Sequence, residues 1–179
     1  MNRSKTLLLA LFVLGSLVLP TSAVADSVFR ANLMAGVGGP LDEDEAGLSN
    51  SSFQLGFSVE PEDQLLVGVR VGQLDLGSAL VGNLIDSSID FATVVGEYRF
   101  TESFYESGLY IGLGLYQLDG TLFFGQGFSE EAVGLTLGIS GEFLLTESLG
   151  FVLEISGHLT NLDTIDTLMM GHAGVSFHF

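Results

Sequence analysis

Along most of this chain, large apolar residues recur at every second position. In Phe53-Gln54-Leu55-Gly56-Phe57-Ser58-Val59-Glu60 each odd residue is large and apolar, and each even one is small, polar or charged. The same alternation runs through 109–116, 133–140 and 149–156. A period of two is the signature of a strand with one apolar face, and helical spacing fits none of these segments. The pattern predicts strands at about 27–38, 51–60, 65–76, 89–100, 105–118, 131–143, 149–160 and 168–179. An even count lets an antiparallel sheet close with both ends on one side.

The connections divide into two kinds. Pro61-Glu62-Asp63-Gln64, Thr101-Glu102-Ser103 and Leu144-Leu145-Thr146-Glu147-Ser148 are short and turn-like, whereas residues 40–50, 77–88, 119–130 and 161–167 are longer or more variable. Short turns at one end and longer loops at the other predict an all-β fold, a closed eight-stranded antiparallel up-and-down transmembrane β-barrel with its short turns facing the periplasm. A soluble barrel with an apolar cavity is the competing architecture. Against it, the non-apolar face is small and polar, as in Gly134, Thr136, Gly138 and Ser140, instead of carrying the many Lys and Glu side chains of a water-facing surface.

The N-terminus reads differently. Arg3 and Lys5 precede an apolar run from Leu7 to Leu19, then Pro20 and the small-residue site Ala23-Val24-Ala25. This is the pattern of a cleaved signal peptide over 1–25, with the barrel over 26–179. After cleavage three basic and 22 acidic residues remain, a net charge of −19. Such a charge excludes nucleic acid as a partner. Hydrophobic content of 47% argues against disorder, so the acids are expected outside an apolar body. Cysteine is absent, which removes disulfides and a lipid-modified N-terminal Cys.

Arg30, Arg70 and Arg99 all fall opposite the apolar row of their strand, and Glu60, Glu97, Glu142 and Glu154 lie on equivalent faces. An Arg at the lipid midplane costs roughly 2–4 kcal/mol, so these seven are expected inside as an interior charge network. A static, space-filling network is favoured over a gate, since eight strands enclose little free space. Phe29, Phe57, Tyr98, Phe100, Phe143, Phe151, Phe177 and Phe179 sit on the apolar face near the predicted periplasmic ends, as a membrane-interface girdle would.

The last strand, Gly174-Val175-Ser176-Phe177-His178-Phe179, resembles the C-terminal signature of outer-membrane barrels. That resemblance implies that Val175, Phe177 and Phe179 form an assembly signal read by the barrel-assembly machinery. The stretch Gly96-Glu97-Tyr98-Arg99-Phe100, with Gly108-Leu109-Tyr110-Ile111-Gly112-Leu113-Gly114 after its turn, is similar to the central hairpin of small OmpA/OmpX/OmpW-like barrel domains. The resemblance implies residence in the outer membrane of a Gram-negative-type bacterium, among outer-membrane lipid and lipopolysaccharide. No soluble peptidoglycan-binding domain is expected after Phe179.

For chemistry the sequence offers less. His158-Leu159-Thr160-Asn161 resembles the His-x-Ser-Asn segment of PagL-type lipid A deacylase barrels, with Thr160 in place of the Ser nucleophile and Glu142 or Glu154 as the implied orienting carboxylate. That departure, and an inward register for His158, favour a structural histidine. His172 and His178 share a strand face but are too far apart to hold one metal. No cofactor, metal site or catalytic set is expected. The acidic Leu41-Asp42-Glu43-Asp44-Glu45 of loop one reads as a solvated tip, with attraction of divalent cations the less favoured use, and Thr121–Phe128 as strand extension or an adhesive surface. The expected function is a non-enzymatic outer-membrane barrel acting in envelope integrity or surface interaction. The alternatives are a narrow porin-like channel and a lipid A deacylase. Nothing in the pattern fixes the oligomeric state.

Overall fold

The structure, a computed structural model, describes residues 28–41, 50–77, 84–102 and 104–179. The expected signal peptide and the acids of loop one beyond Leu41 lie outside these residues. Eight strands, β1 (Val28–Pro40), β2 (Asn50–Glu62), β3 (Leu65–Gly77), β4 (Leu84–Glu102), β5 (Tyr105–Leu122), β6 (Gly127–Leu144), β7 (Leu149–Leu159) and β8 (Thr167–His178), follow one another around the wall. Each pairs antiparallel with the next, and β8 returns to β1 to close the barrel. Closure leaves no free edge through the body of the sheet, which is what lets strands stand in an apolar medium.

Phe179 completes the seam. Its backbone N–H donates to Phe29 O at 3.0 Å, and Phe29 N–H donates to Phe179 O at 2.9 Å. Between β2 and β3 the ladder shifts register after Val59, and Gln64 takes a φ of 71° in the turn. At the opposite end β5 and β6 run on into a long hairpin, paired as far as Thr121 with Gly127. The sequence pattern places these two strands at 105–118 and 131–143. The difference arises because the 119–130 segment continues the ladder, with the turn confined to Phe123–Gln126. Gly125, at a φ of 78°, lets the chain reverse there, its N–H donating to Leu122 O at 2.8 Å. β4 likewise begins earlier than expected, at Leu84 instead of residue 89.

Through the lower barrel the apolar row faces out. Leu109, Ile111 and Leu113 of β5, Leu135, Leu137 and Ile139 of β6, and Leu153 and Ile155 of β7 are all exposed. On β6 this row runs from Val133 to Phe143, which at strand rise and a barrel tilt near 40° is roughly 25 Å of height, the thickness of a lipid-facing belt. Aromatic rings gather at its lower margin: Phe29 stacks near Phe57 and Phe179 at 6.0 and 6.3 Å, Tyr98 meets Phe100 edge-on at 5.1 Å, and Tyr105 lies 4.8 Å from Phe143.

Above the belt the chemistry of the two faces is exchanged. On β3, Val67, Val69 and Val71 point out beside an inward Arg70, but further up Gln73 and Asp75 point out and Leu74 and Leu76 are buried. The backbone alternation is unbroken; only the phase of the apolar residues moves by one. On β5 the same exchange occurs past Leu115, with Tyr116 and Leu118 inward, and on β4 it leaves Phe91 and Ile89 inward with Asp90 outward. The outer end is therefore apolar within and polar without, as in a water-soluble barrel.

Candidate functional site

The interior holds two layers. In the lower one, three guanidinium groups meet five carboxylates. Arg30 Nη1 donates to Glu106 Oε2 at 2.6 Å and to Glu142 Oε2 at 3.1 Å, while its Nη2 reaches Glu60 Oε2 at 2.9 Å. Arg99 Nη1 donates to the same oxygens of Glu106 and Glu142 at 2.6 and 2.5 Å, and its Nε to Glu97 Oε1 at 3.1 Å. Arg70 bridges Glu97 at 3.0 Å and Glu154 at 2.7 Å, with its guanidinium carbon 3.8 Å from the Tyr110 ring centroid. Two carboxylates thus share two guanidiniums at one level, and Arg70 joins Glu97, which Arg99 also touches, to Glu154.

Strand register makes this possible. Inward residues of neighbouring strands fall at matched heights, so Glu106 stands opposite Glu142 and Ser140 opposite Glu154. Glycines on the inward face keep room for the long side chains: a Cβ on Gly108 would lie 2.2 Å from Glu97 Oε1. Hydroxyls and rings complete the set. Ser140 Oγ donates to Glu97 at 2.6 Å, Gln54 Nε2 to Glu154 at 3.1 Å, and Ser176 Oγ and His178 Nε2 both lie on Glu142, the histidine at 2.6 Å. Buried charges at this density need such partners, because an unpaired one costs several kcal/mol.

All seven charged residues singled out from the sequence point inward, with Glu60 the least buried, its side chain 20% exposed. Glu106 was missed. Its signal was available, since it lies in phase with Gly108, Tyr110 and Gly112 of β5, but a carboxylate just inside a predicted strand start reads as part of the turn. Val175 and Phe177 face out on β8 and Phe179 lies at the β1 seam.

Higher up, His158 is buried with Nδ1 2.8 Å from Tyr116 Oη and Nε2 3.0 Å from Ser156 Oγ. Thr160 turns away from it, donating its hydroxyl to Ile165 O. His172 Nε2 lies 2.9 Å from Ser52 Oγ. The Ser156–His158 pair has the spacing of a nucleophile and base, and it is buried inside the wall with the Phe91 ring 5.6 Å from the imidazole.

That upper layer is an apolar cap. Leu74, Leu76, Leu84, Ile89, Phe91 and Leu118 fill the outer end together with Leu168 and Met170 of β8, and the β7–β8 connection folds Leu162 and Ile165 down among them. The connection is held in place by Thr160 N–H on Asp166 O at 2.8 Å and by Glu130 of β6, which accepts from Asp163 N–H at 2.5 Å and from the Thr164 hydroxyl at 3.3 Å. Among the described residues no group of three or more His, Cys, Asp or Glu is arranged to hold a metal ion.

A closed barrel of eight strands with a lipid-height apolar belt outside and paired charges inside has the fold of the small outer-membrane barrels. Particular solved structures bear this out. Neisserial surface protein A is similar with a TM-score of 0.68 at 14% identity, over 86% of this chain and 97% of that one. A major outer membrane protein of Thermus thermophilus gives 0.64 at 15% identity, over 86% and 100% of the two chains. The N-terminal β-barrel domain of Pseudomonas aeruginosa OprF gives 0.63 at 12% identity, over 86% and 97%. No family model and no curated protein matches the sequence. At such identities the likeness establishes the fold and leaves the role to the residues.

Proposed function

We propose that this protein is an integral outer-membrane β-barrel, sealed and non-enzymatic, that serves envelope integrity and presents its outer end for surface interaction. The observation that carries the reading is the pairing of an outward apolar belt with an interior filled along its length. The ion-paired layer occupies the lower half, Tyr110, Tyr116 and Met34 lie buried at mid-height, and the apolar cap closes the top. A channel would need a continuous wet path, and the described residues that form the cap cluster line the outer end with apolar side chains. Two of these neighbours in fold are named as a surface protein and a major outer membrane protein, which supports the location.

Envelope integrity asks for a rigid, non-leaking wall, and the crossed Arg–Glu pairs tie β1, β2, β3, β4, β5, β6 and β7 together across the interior. Surface interaction asks for a protruding element, which the β5–β6 hairpin supplies. The experiment is reconstitution of the purified protein in planar bilayers after heat-modifiable gel migration has established a folded barrel. The reading expects the unfolded and folded bands to separate and no discrete conductance steps. Steady single-channel current from the folded band would favour the porin-like alternative instead. Release of acyl chains from lipid A, lost in His158→Ala, would favour the deacylase.

A further inference from the structure

The β5–β6 hairpin rises beyond the point where the two faces exchange their chemistry. From Leu115 to the tip the strand continues for seven residues to Leu122, which at strand rise and barrel tilt is roughly 18 Å above the belt. The turn at its summit carries Phe123 and Phe124, exposed to 64% and 96%. They are not a loose loop. Leu122 N–H donates to Gln126 O at 2.7 Å, and the hairpin below is braced by inward Leu118, Leu122, Phe128 and Ala132 against the apolar cap. The fold thus holds two adjacent rings in water at a fixed place, clear of the lipid belt.

The outward faces of the strands below that tip are of one sign. Asp90, Gln117 and Glu131 form one outward cross-strand row on β4, β5 and β6, with Asp119 one step above and Asp75 on β3. Gln73 and Gln117 donate to Asp90 and Asp119 at 2.7 and 2.8 Å, which orders the carboxylates without neutralising them. The chain's three post-signal basic residues are all buried inside the barrel, so among the described residues no Lys or Arg reaches the surface. A negative field around an apolar tip repels a second copy of this acidic chain, anionic lipid and polyanions such as nucleic acid or sulfated sugars, and attracts cationic surfaces.

We propose that the tip of the β5–β6 hairpin docks a basic polypeptide surface bearing an apolar recess, with Phe123 and Phe124 as anchors and Asp90, Asp119 and Glu131 as the charge that steers it. This deepens the surface-interaction reading above and rests on it. Aromatic anchors dominate interface energies, whereas rim charges set encounter rate and salt dependence, so the two parts separate experimentally.

The test uses the whole barrel in nanodiscs of zwitterionic lipid, with an alternating Lys–Leu peptide as probe and empty nanodiscs as baseline. Binding above baseline is expected, weakened about tenfold or more in F123S/F124S, the scale of an anchor loss. D90N/D119N/E131Q is expected to bind more weakly too, and to lose the salt dependence that the unaltered protein shows. An alternating Glu–Leu peptide, heparin and phosphatidylglycerol vesicles are expected to stay at baseline. The proposal is overturned if the Lys–Leu peptide stays at baseline, if neither variant changes its binding, or if the vesicles or heparin bind better. Thiol labelling of F124C in intact cells separates the two levels of the argument. Labelled cells with no peptide binding overturn the partner alone; a folded barrel whose F124C stays unlabelled overturns the surface reading and the partner with it.

Discussion

Replacing Arg99 with Met is the sharpest perturbation of the interior. The substitution keeps much of the side-chain volume while deleting a guanidinium that contacts Glu106 at 2.6 Å, Glu142 at 2.5 Å and Glu97 at 3.1 Å. The three carboxylates are not equally stranded. Glu97 keeps Arg70 at 3.0 Å and the Ser140 hydroxyl, and Glu142 keeps Arg30 at 3.1 Å with the Ser176 hydroxyl and His178 Nε2, whereas Glu106 is left with its share of Arg30 at 2.6 Å. Breaking a buried ion pair from one side costs about 3–5 kcal/mol, and the retained Arg30 contacts place this case near the lower figure, about 3 kcal/mol. Removing one surplus charge should return part of it, so R99M/E106Q is expected to recover about 1–2 kcal/mol relative to R99M. The assay is reversible urea unfolding in lipid vesicles, followed by strand circular dichroism because the chain has no Trp. If R99M unfolds at the same urea concentration as the unaltered protein, or if E106Q adds its own loss on top, the interior is not held by these pairs and the reasoning fails.

Other positions give independent checks. A Cβ at Gly138 would lie 2.5 Å from the Tyr110 ring and 2.6 Å from Ile155 O, whereas one at Gly157 meets nothing within 4 Å. G138A is therefore expected to lose about 1–3 kcal/mol in the same titration and G157A almost nothing. Leu137, in the middle of the β6 belt, should cost about 2–4 kcal/mol on change to Arg, while Ser129 above the belt should accept Arg at about 0–1 kcal/mol. Changing Leu162 and Ile165 together to Ser leaves the rest of the cap in place, so bilayers holding that variant should stay free of discrete conductance steps.

Much of the architecture was legible because a barrel in lipid has to repeat one rule on every strand. The odd residues of 53–57 and 133–139 are apolar and outward, and Arg30, Arg70 and Arg99 are inward by phase alone. What the alternation hid was its own reversal. Val67, Val69 and Val71 are followed by Leu74 and Leu76, a shift of apolar phase from odd to even positions with no break in the strand. The residues of 73–76 and 116–119 taken one strand at a time look like the frayed end of an element. Only when the same shift recurs on neighbouring strands at matched register does it mark the level where lipid gives way to water. The inward fold of Leu162 and Ile165 was not readable at all, because a loop's direction depends on the cavity it finds. The partners of His158 were equally hidden. Tyr116 lies 42 residues away and meets it only across the closed interior.

The claim on which the account stands is that the apolar row faces acyl chains and that this face becomes wet at a definite level. Nitroxide labels placed one at a time along β6, at odd positions from Ser129 to Phe143 in lipid-reconstituted protein, test it by collision with oxygen and with a water-soluble nickel chelate. The account predicts high oxygen and low nickel collision from 133 to 143, and the reverse at 129 and 131. Labels at 135, 137 and 139 that collide freely with nickel would contradict it.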